Sequence, residues 1–533
     1  MKVKTLLLNF FLFLICFQNG FALQNQVTRS VKKLQALTLG TTASSVILAW
    51  DDPFEPDYQA SDFKWKTREY TLYQNGTRIG STHKKTFTAK NLSPVTDYIF
   101  SVTLPESEDP EKWNTVKVTV RDPGKIINIR KSGAKGDGKN DDTAPVQHSI
   151  NHCPAGGSVY IPAGNYLVGH LELKSDITLE LAKDAVLSFI GYKHDKVWPK
   201  TKAELSGPDG NIHYESISLL SGTNVHNVVI TGEGIIDGNG ETWWPYYKEI
   251  TRPFTLEFVN SSNILVQGIT IQDPPFWNNH LLYVDSAVYS DVKFLKVSTQ
   301  NGVNGDGLNP DASRDILIIG CLFGNQDDAI AIKSGKYVED GNKRRRSTER
   351  IIIRDCIFDG KAAPGSNPLG IAIGSESSGG VKHVMIRDCE FSDVASLVNI
   401  KTNRERFFAC VEDISIENIH YTNTKHVDRW WNRAAISVDL FYGAPEGSDP
   451  SVAESFSPQT PVFSGIHFKN ISIYNPAGKG IYISGLPESP VHDIDFDKVN
   501  VTSKDGVIIR NVDALSVSGI SVIPLGGKEN IKK

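Results

Sequence analysis

The feature that most constrains this chain is a repeat. Eight segments share one design: SSNILVQGITI (from 261), YSDVKFLKVST (289), SRDILIIGCLF (313), TERIIIRDCIF (348), VKHVMIRDCEF (381), VEDISIENIHY (411), FSGIHFKNISI (463) and VHDIDFDKVNV (491). Each reads as an alternating β-run, a polar corner and a second β-run. One such unit cannot bury its apolar face alone, so successive units must stack. The pattern predicts a right-handed parallel β-helix with one coil per repeat. The longer interval between the segments at 411 and 463 predicts an insertion there.

Cysteine placement agrees with stacking. Cys321, Cys356 and Cys389 occupy the same place in three successive repeats. Stacked coils would set them one above another as an interior ladder of free thiols, acting as small hydrophobes. No His recurs with them and no acid accompanies all three, which argues against a metal or catalytic set. The predicted class is therefore all-β, with the β-helix covering residues 123–533.

Residues 28–122 follow another grammar. Short alternating runs such as SSVILAWDDP, REYTLYQNGTRIGST and TDYIFSVTLP are separated by turn signals at Asp52-Pro53, Asn75-Gly76 and Ser93-Pro94. This predicts a small β-sandwich. Trp50 on an early strand and Tyr98 in LSPVTDYIF resemble the core tryptophan and tyrosine of fibronectin type III domains. A packing module is the expected role, because nothing in the segment forms an obvious site.

The 533 residues include 22% charged and 40% hydrophobic residues, a globular balance. A formal net charge of −5 argues against a general nucleic-acid or anionic-membrane binder. The opening MKVKTLLLNFFLFLICFQNGFA has a charged start and a short apolar core. It predicts a signal peptide over residues 1–22 and a secreted protein, extracellular or periplasmic; a retained anchor is the alternative. No other run is apolar enough for a membrane helix. Once Cys16 is removed five cysteines remain, an odd set that gives no disulfide framework.

Acids concentrate in two neighbouring repeats. NQDDAIAIKSG (325–335) opens a strand with Asp327 and Asp328 side by side, and Asp306 in NGVNGDGLNPDASRD stands 21 residues earlier, close to one coil. Coils ~4.8 Å apart would set Asp306 over the pair. Clustered carboxylates suit a divalent cation, or acid/base chemistry in which repulsion holds a proton on one member. Capping of turns is the bland alternative.

These two segments resemble the motifs of glycoside hydrolase family 28, the polygalacturonases and their relatives. The entrance segments INIRKSGAKGDGKNDDTAPVQHSINHC and GGSVYIPAGNYLVGHLELKSDITLEL resemble the first coil of pectin-degrading β-helix proteins. There Asp137, Asp141 and Asp142 read as turn and cap residues. With PFWNNHLLYV, the resemblance spans roughly 123–533. It implies inverting hydrolysis of α-galacturonosyl linkages in pectic oligo- or polysaccharide, with no metal or cofactor. Asp327 would be the general acid, and Asp306 and Asp328 would hold and activate the water. A monomer is expected.

The chain also departs from the family. Leu369 in NPLGIAIGSESSGG stands where a histidine belongs, and Asn399 in VNIKTNRER stands at an arginine position, while Lys401 is retained. His280, Arg404 and Arg406 are candidates to compensate, against packing or solvated roles. Tyr442 in LFYG is a candidate cleft tyrosine. Trp430 and Trp431 suit either sugar stacking or a loop anchor. The basic insertion 333–350, together with the Asn-Gly-Asp-Gly motif and the fibronectin-like module, resembles end-acting bacterial members. A lyase on the same fold and a pectin-binding protein without turnover are the rival readings; rhamnogalacturonan-type or other branched pectin is the alternative substrate.

Overall fold

A computed structural model of the chain describes residues 31–52, 68–104, 113–193, 198, 200–202, 214–335, 346–404, 409–425, 434–444 and 449–525. The signal-peptide reading, Arg406, Trp430, Trp431 and residues 336–345 of the basic insertion lie outside them.

The chain winds into coils whose strands pair in parallel, forming one sheet of 21 strands and another of 11. The larger sheet contains two ladders. Gly157–Ile161, Ile177–Leu181, His226–Gly232, Ser262–Gln267, Asp285–Ser290, Arg314–Ile319 and Thr348–Arg354 form the first. Thr270–Gln272, Lys293–Leu295, Leu322–Gly324 and Ile357–Asp359 belong to the second. From Val381–Ser392 onward one long strand bends through both. Each visible repeat therefore supplies two faces of a coil. The third face, the 11-stranded sheet, is built from short segments that repeat less plainly, including Asn279–Leu282, Leu308–Asp311, Asp328–Ile332, Leu369–Gly374 and Val398–Lys401.

The polar corners have a backbone reason. Asp291, Asp355, Asp388, Asn418 and Asn470 all turn the chain at φ between 53° and 60°. Asn and Asp tolerate this left-handed region better than other side-bearing residues. Inside, Cys321, Cys356 and Cys389 are buried, free and stacked, as the repeat predicted. Beside them Phe294, Phe323, Phe358 and Phe391 stack at 4.8, 5.1 and 4.2 Å between ring centroids. Asp137, Asp141 and Asp142 accept backbone N–H bonds in the entrance turns, as expected.

The N-terminal strands form antiparallel sheets of three and four strands. Trp50 and Tyr70 pack edge-on at 5.4 Å, and the Ser93 N–H donates to the Tyr98 hydroxyl at 2.9 Å. Ile47 and Ala49 press outward onto Leu265, Val288, Leu317 and Ile319 of the β-helix. Charges frame this contact. Lys85 Nζ meets Asp388 at 2.6 Å, Arg387 meets Asp51 at 2.6 Å, and Arg354 donates to the Trp50 carbonyl at 2.8 Å. Asp388 also accepts from Asn418, which accepts from Asn470, so the module's lysine ends a corner ladder.

Burial opposes the charge on Asp388, but Lys85, Arg387 and Arg354 outweigh it and hold the carboxyl down at about 2. That stabilisation is present above the ordinary value of 3.8 and is lost as pH falls through about 2. Lys85→Met should therefore destabilise the protein by about 3 kcal/mol at pH 7. Urea unfolding at several pH values should show the deficit shrinking as Asp388 is protonated.

Candidate active site

The site is built on the outer surface of the third face. Leu308 pairs in register with Ile330, so Asp306 lies level with Asp328 and Asp327 occupies the turn before the strand. This local coil is one residue longer than the spacing from Asp306 to Asp327. Two polar residues fasten the turn to the preceding coil. The Asn325 amide donates to the carbonyls of Gly305, Asp327 and Asp328 at 3.2, 3.0 and 3.0 Å. The Gln326 side-chain oxygen accepts the Gly305 N–H at 2.9 Å. The Gly307 N–H donates to the Asp328 carbonyl at 3.0 Å.

Three carboxylates thus converge, and two lysines answer them. Lys401 Nζ lies 3.0 Å from Asp328 Oδ2 and 5.2 Å from the centre of the Tyr442 ring. Lys333 Nζ lies 3.1 Å from Glu376 Oε2, 3.9 Å from Asp306 Oδ2 and 4.5 Å from the Trp277 ring centre. Asp306, Asp328, Lys333 and Lys401 are buried, whereas Asp327 is half-buried. Asp328 Oδ1 makes no hydrogen bond among the described residues.

Burial, then repulsion from Asp328, pushes the Asp327 carboxyl up to about 6 against the pull of Lys401 and Lys333. Although Asp327 keeps some exposure, protein atoms crowd its carboxyl, and this crowding sets the direction. Burial also raises Asp306 well above the carboxylate range, with Asp327 and Asp328 adding to it and Lys333 opposing. Burial works against the charge on Lys401, but Asp328 outweighs it and holds the ammonium's proton more tightly. The arrangement can supply a protonated carboxyl beside an ion-paired carboxylate, which is what glycosidic acid/base chemistry requires.

The structure brings Asp306, Asp327, Asp328, Lys401 and Tyr442 together. His280 is placed otherwise. It is fully buried under Phe254 and Trp277, with Nδ1 3.0 Å from Glu257 and Nε2 3.5 Å from Asp311. Burial opposes its charge, yet the two carboxylates raise it to about 9, so it supports the floor as an imidazolium and presents no surface to a ligand. Arg404 spends its guanidinium on Glu488 at 2.7 Å and Glu454 at 3.1 Å. It pins a loop instead of standing open.

Leu369 lies in register with Asp328, placing apolar surface where the resemblance calls for histidine. Asn399 pairs with Ala372 on one side and Ser437 on the other, and its buried amide nitrogen has no partner among the described residues. Sequence reasoning missed Asn325, Gln326, Glu376 and Trp277, and assigned Lys333 to the basic insertion. Alternation carried the missing signal for Lys333: Ile330 and Ile332 point inward, so Ala331 and Lys333 point out.

Comparison with known proteins accords with this geometry. The profile described as "Glycosyl hydrolases family 28" matches residues 154–522, and one described as "Rhamnogalacturonase A/epimerase, pectate lyase-like" matches residues 126–180. A "Probable polygalacturonase" of Vitis vinifera is 29% identical over 383 residues, covering 69% of this chain and 72% of the relative. An "Exo-poly-alpha-D-galacturonosidase" of Dickeya chrysanthemi is 25% identical over 438 residues, covering 66% of this chain and 68% of the relative. The fold resembles a family 28 exopolygalacturonase of Yersinia enterocolitica, with TM-score 0.67, 17% identity, and coverage of 95% of this chain and 100% of that one. A hyperthermoactive exopolygalacturonase of Thermotoga maritima gives TM-score 0.61 and 24% identity, over 76% of this chain and 93% of that one. The stacked coils, the paired motifs on the third face and a profile match over most of the chain lead to one conclusion: the chain belongs to the glycosyl hydrolases of family 28.

Proposed function

We propose that this protein is a secreted glycosidase that hydrolyses α-galacturonosyl linkages in pectic polysaccharide with inversion, acting from a chain end. Asp327 is the general acid, and Asp306 and Asp328 hold and activate the water. The observation that carries this reading is Asp327 itself: a half-open carboxyl raised to about 6 beside an Asp328 fixed by Lys401. The uncommitted Asp328 Oδ1 gives the water a further acceptor. The acid–base separation expected for inversion is ~6.5–9.5 Å. Lys401 and Tyr442 are the residues to meet the sugar beside the cleavage point. End-on action is supported by the exo names of the Dickeya, Yersinia and Thermotoga proteins. The N-terminal sandwich, residues 28–122 in this division, serves as a packing module.

Leu369 and Asn399 favour a second reading of the substrate, a modified or branched pectin, because an amide and a leucine cannot grip a carboxylate as arginine and histidine do. Polygalacturonate, oligogalacturonides, methyl-esterified pectin and rhamnogalacturonan fragments should be compared by reducing-end release and product size. Monogalacturonate from the unmodified chain supports the first reading, faster release from modified chains supports the second, and no product from any of them overturns both.

Asp327→Asn should cut kcat by ~10²–10⁴. If Asp327 must carry its proton, wild-type activity falls as pH rises through about 6. The same raised value makes the folded state bind the proton more tightly than the unfolded chain, so wild-type stability declines as pH rises from 3.8 through about 6. Asp327→Asn should therefore melt higher than wild type at pH 7 while losing activity. A lower melting temperature would contradict a strained, proton-holding Asp327.

A further inference from the structure

Lys333 is an odd residue to find where it is. It sits one position beyond Ile332 on the third face, next in row to Gly374, which pairs with Lys401. It is 5% exposed, about as enclosed as Lys401, and its ammonium faces acids and an aromatic ring. Among the described residues its ammonium lies 3.1 Å from Glu376, 3.9 Å from Asp306 and 4.5 Å from the Trp277 ring centre. Glu376 and Asp306 outweigh the burial that opposes its charge, so the ammonium keeps its proton.

The two acids assigned to the water are not equivalent. Asp328 is hydrogen-bonded to its lysine at 3.0 Å, and such a bond spends the basicity of that oxygen. Asp306 has its lysine at 3.9 Å, close enough for charge but too far for a hydrogen bond. Burial and the neighbouring Asp327 and Asp328 press Asp306 toward the protonated form, in which it is no base. Lys333 is the first cation opposing them, with Lys401 behind it. Among the described residues, the other charges around this row are Glu376 on Lys333, and Asp311 with His280 on the adjacent strands.

We propose that Lys333, held between Glu376 and the face of Trp277, is a positioning residue that counters the burial of Asp306 and draws its carboxyl toward the ionised form, so that Asp306 takes the proton from the attacking water while Asp328 orients it. This rests on the hydrolytic reading above. In the step, the water oxygen forms a bond to the anomeric carbon and its proton passes to Asp306. The glycosidic C–O bond breaks and the leaving oxygen takes the proton of Asp327. No other reactant is needed. Lys333 thereby replaces distance for contact: a cation that donated directly to Asp306 would quench it.

The test compares wild type with Lys333→Met, Lys333→Arg and Glu376→Gln, checking each for native circular dichroism. In pH profiles of kcat and KM on the best substrate, Lys333→Met should lower kcat ~10–100-fold and leave KM within ~3-fold. Its acidic limb should move up by about one pH unit, because Asp306 loses its cation. Lys333→Arg should return the limb toward wild type. Glu376→Gln should move it down, since Lys333 then serves Asp306 alone. Limbs that stay in place while kcat falls, or a change in KM only, would reduce Lys333 to a packing residue and overturn the proposal. A second readout needs no turnover. Infrared titration of the protonated-carboxyl band should show, beside the Asp327 component near pH 6, a second component whose midpoint rises in Lys333→Met and which is missing in Lys333→Met/Asp306→Asn. An unmoved midpoint overturns the link from Lys333 to Asp306 even if no substrate is found, so the two readings fail separately.

Discussion

Stacking in register is the constraint on which everything else depends. A parallel coil sets each residue about 4.8 Å from its equivalent on the next coil, whatever that residue is. Inside, the rule is favourable: thiols meet thiols and Phe323 meets Phe358 with rings 8° from parallel. At the corners it joins Asn470, Asn418 and Asp388 into a hydrogen-bonded line. On the third face it is costly, because it places Asp306 level with Asp328 and leaves Asp327 beside them. Three carboxylates so close, two buried and one half-buried, cannot all ionise without cations nearby. The fold tolerates them because the same rule delivers Lys333 and Lys401 to one row of the face.

Rigidity follows from the same geometry. The acids do not sit on a free loop. Asn325 and Gln326 tie their turn to Gly305 one coil back, and the Leu369 N–H reaches the Asp327 carbonyl one coil forward at 3.1 Å. The N-terminal sandwich braces the opposite side of the coils through Ile47 and Ala49 and through Lys85 on Asp388. A group whose proton affinity is set by burial and by neighbours ~3–4 Å away needs such bracing, since small shifts would change both.

What was legible in the sequence was whatever repeats. The two strands around each polar corner, the Cys ladder and the paired acid motifs all follow from period-two alternation and equal spacing. The third face was harder to see, because its strands are short and their polar residues differ from coil to coil: His280, Asn309, Ala331, Ala372 and Asn399 occupy one row. Which side chains cover which is a tertiary matter. His280 reads as a cleft histidine in FWNNHLLY, and only the positions of Phe254 and Trp277 show that it is roofed. Arg404 reads as a free guanidinium until Glu488, 84 residues on, is found bonded to it. Lys333 was readable from alternation, but the run of basic residues after it drew it into the wrong unit.

The two departures from the family pattern now have a common electrostatic sense. A histidine and an arginine would each have brought a donor or a positive charge to the acids. Leu369 instead presses apolar surface against the level of Asp328, and Asn399 brings a neutral amide. Removing cationic character from a buried carboxylate cluster raises its proton affinity, and added burial works in the same direction. The charge that remains is carried by lysines, whose compact ammonium groups hold single points and cannot fork across a carboxylate as a guanidinium does. One of those points is fixed on Asp328 and the other is shared between Asp306 and Glu376. On the hydrolytic reading proposed above, the cluster keeps the charges that proton transfer needs while presenting less positive charge to an anionic sugar, which separates the chemistry of the acids from the choice of substrate.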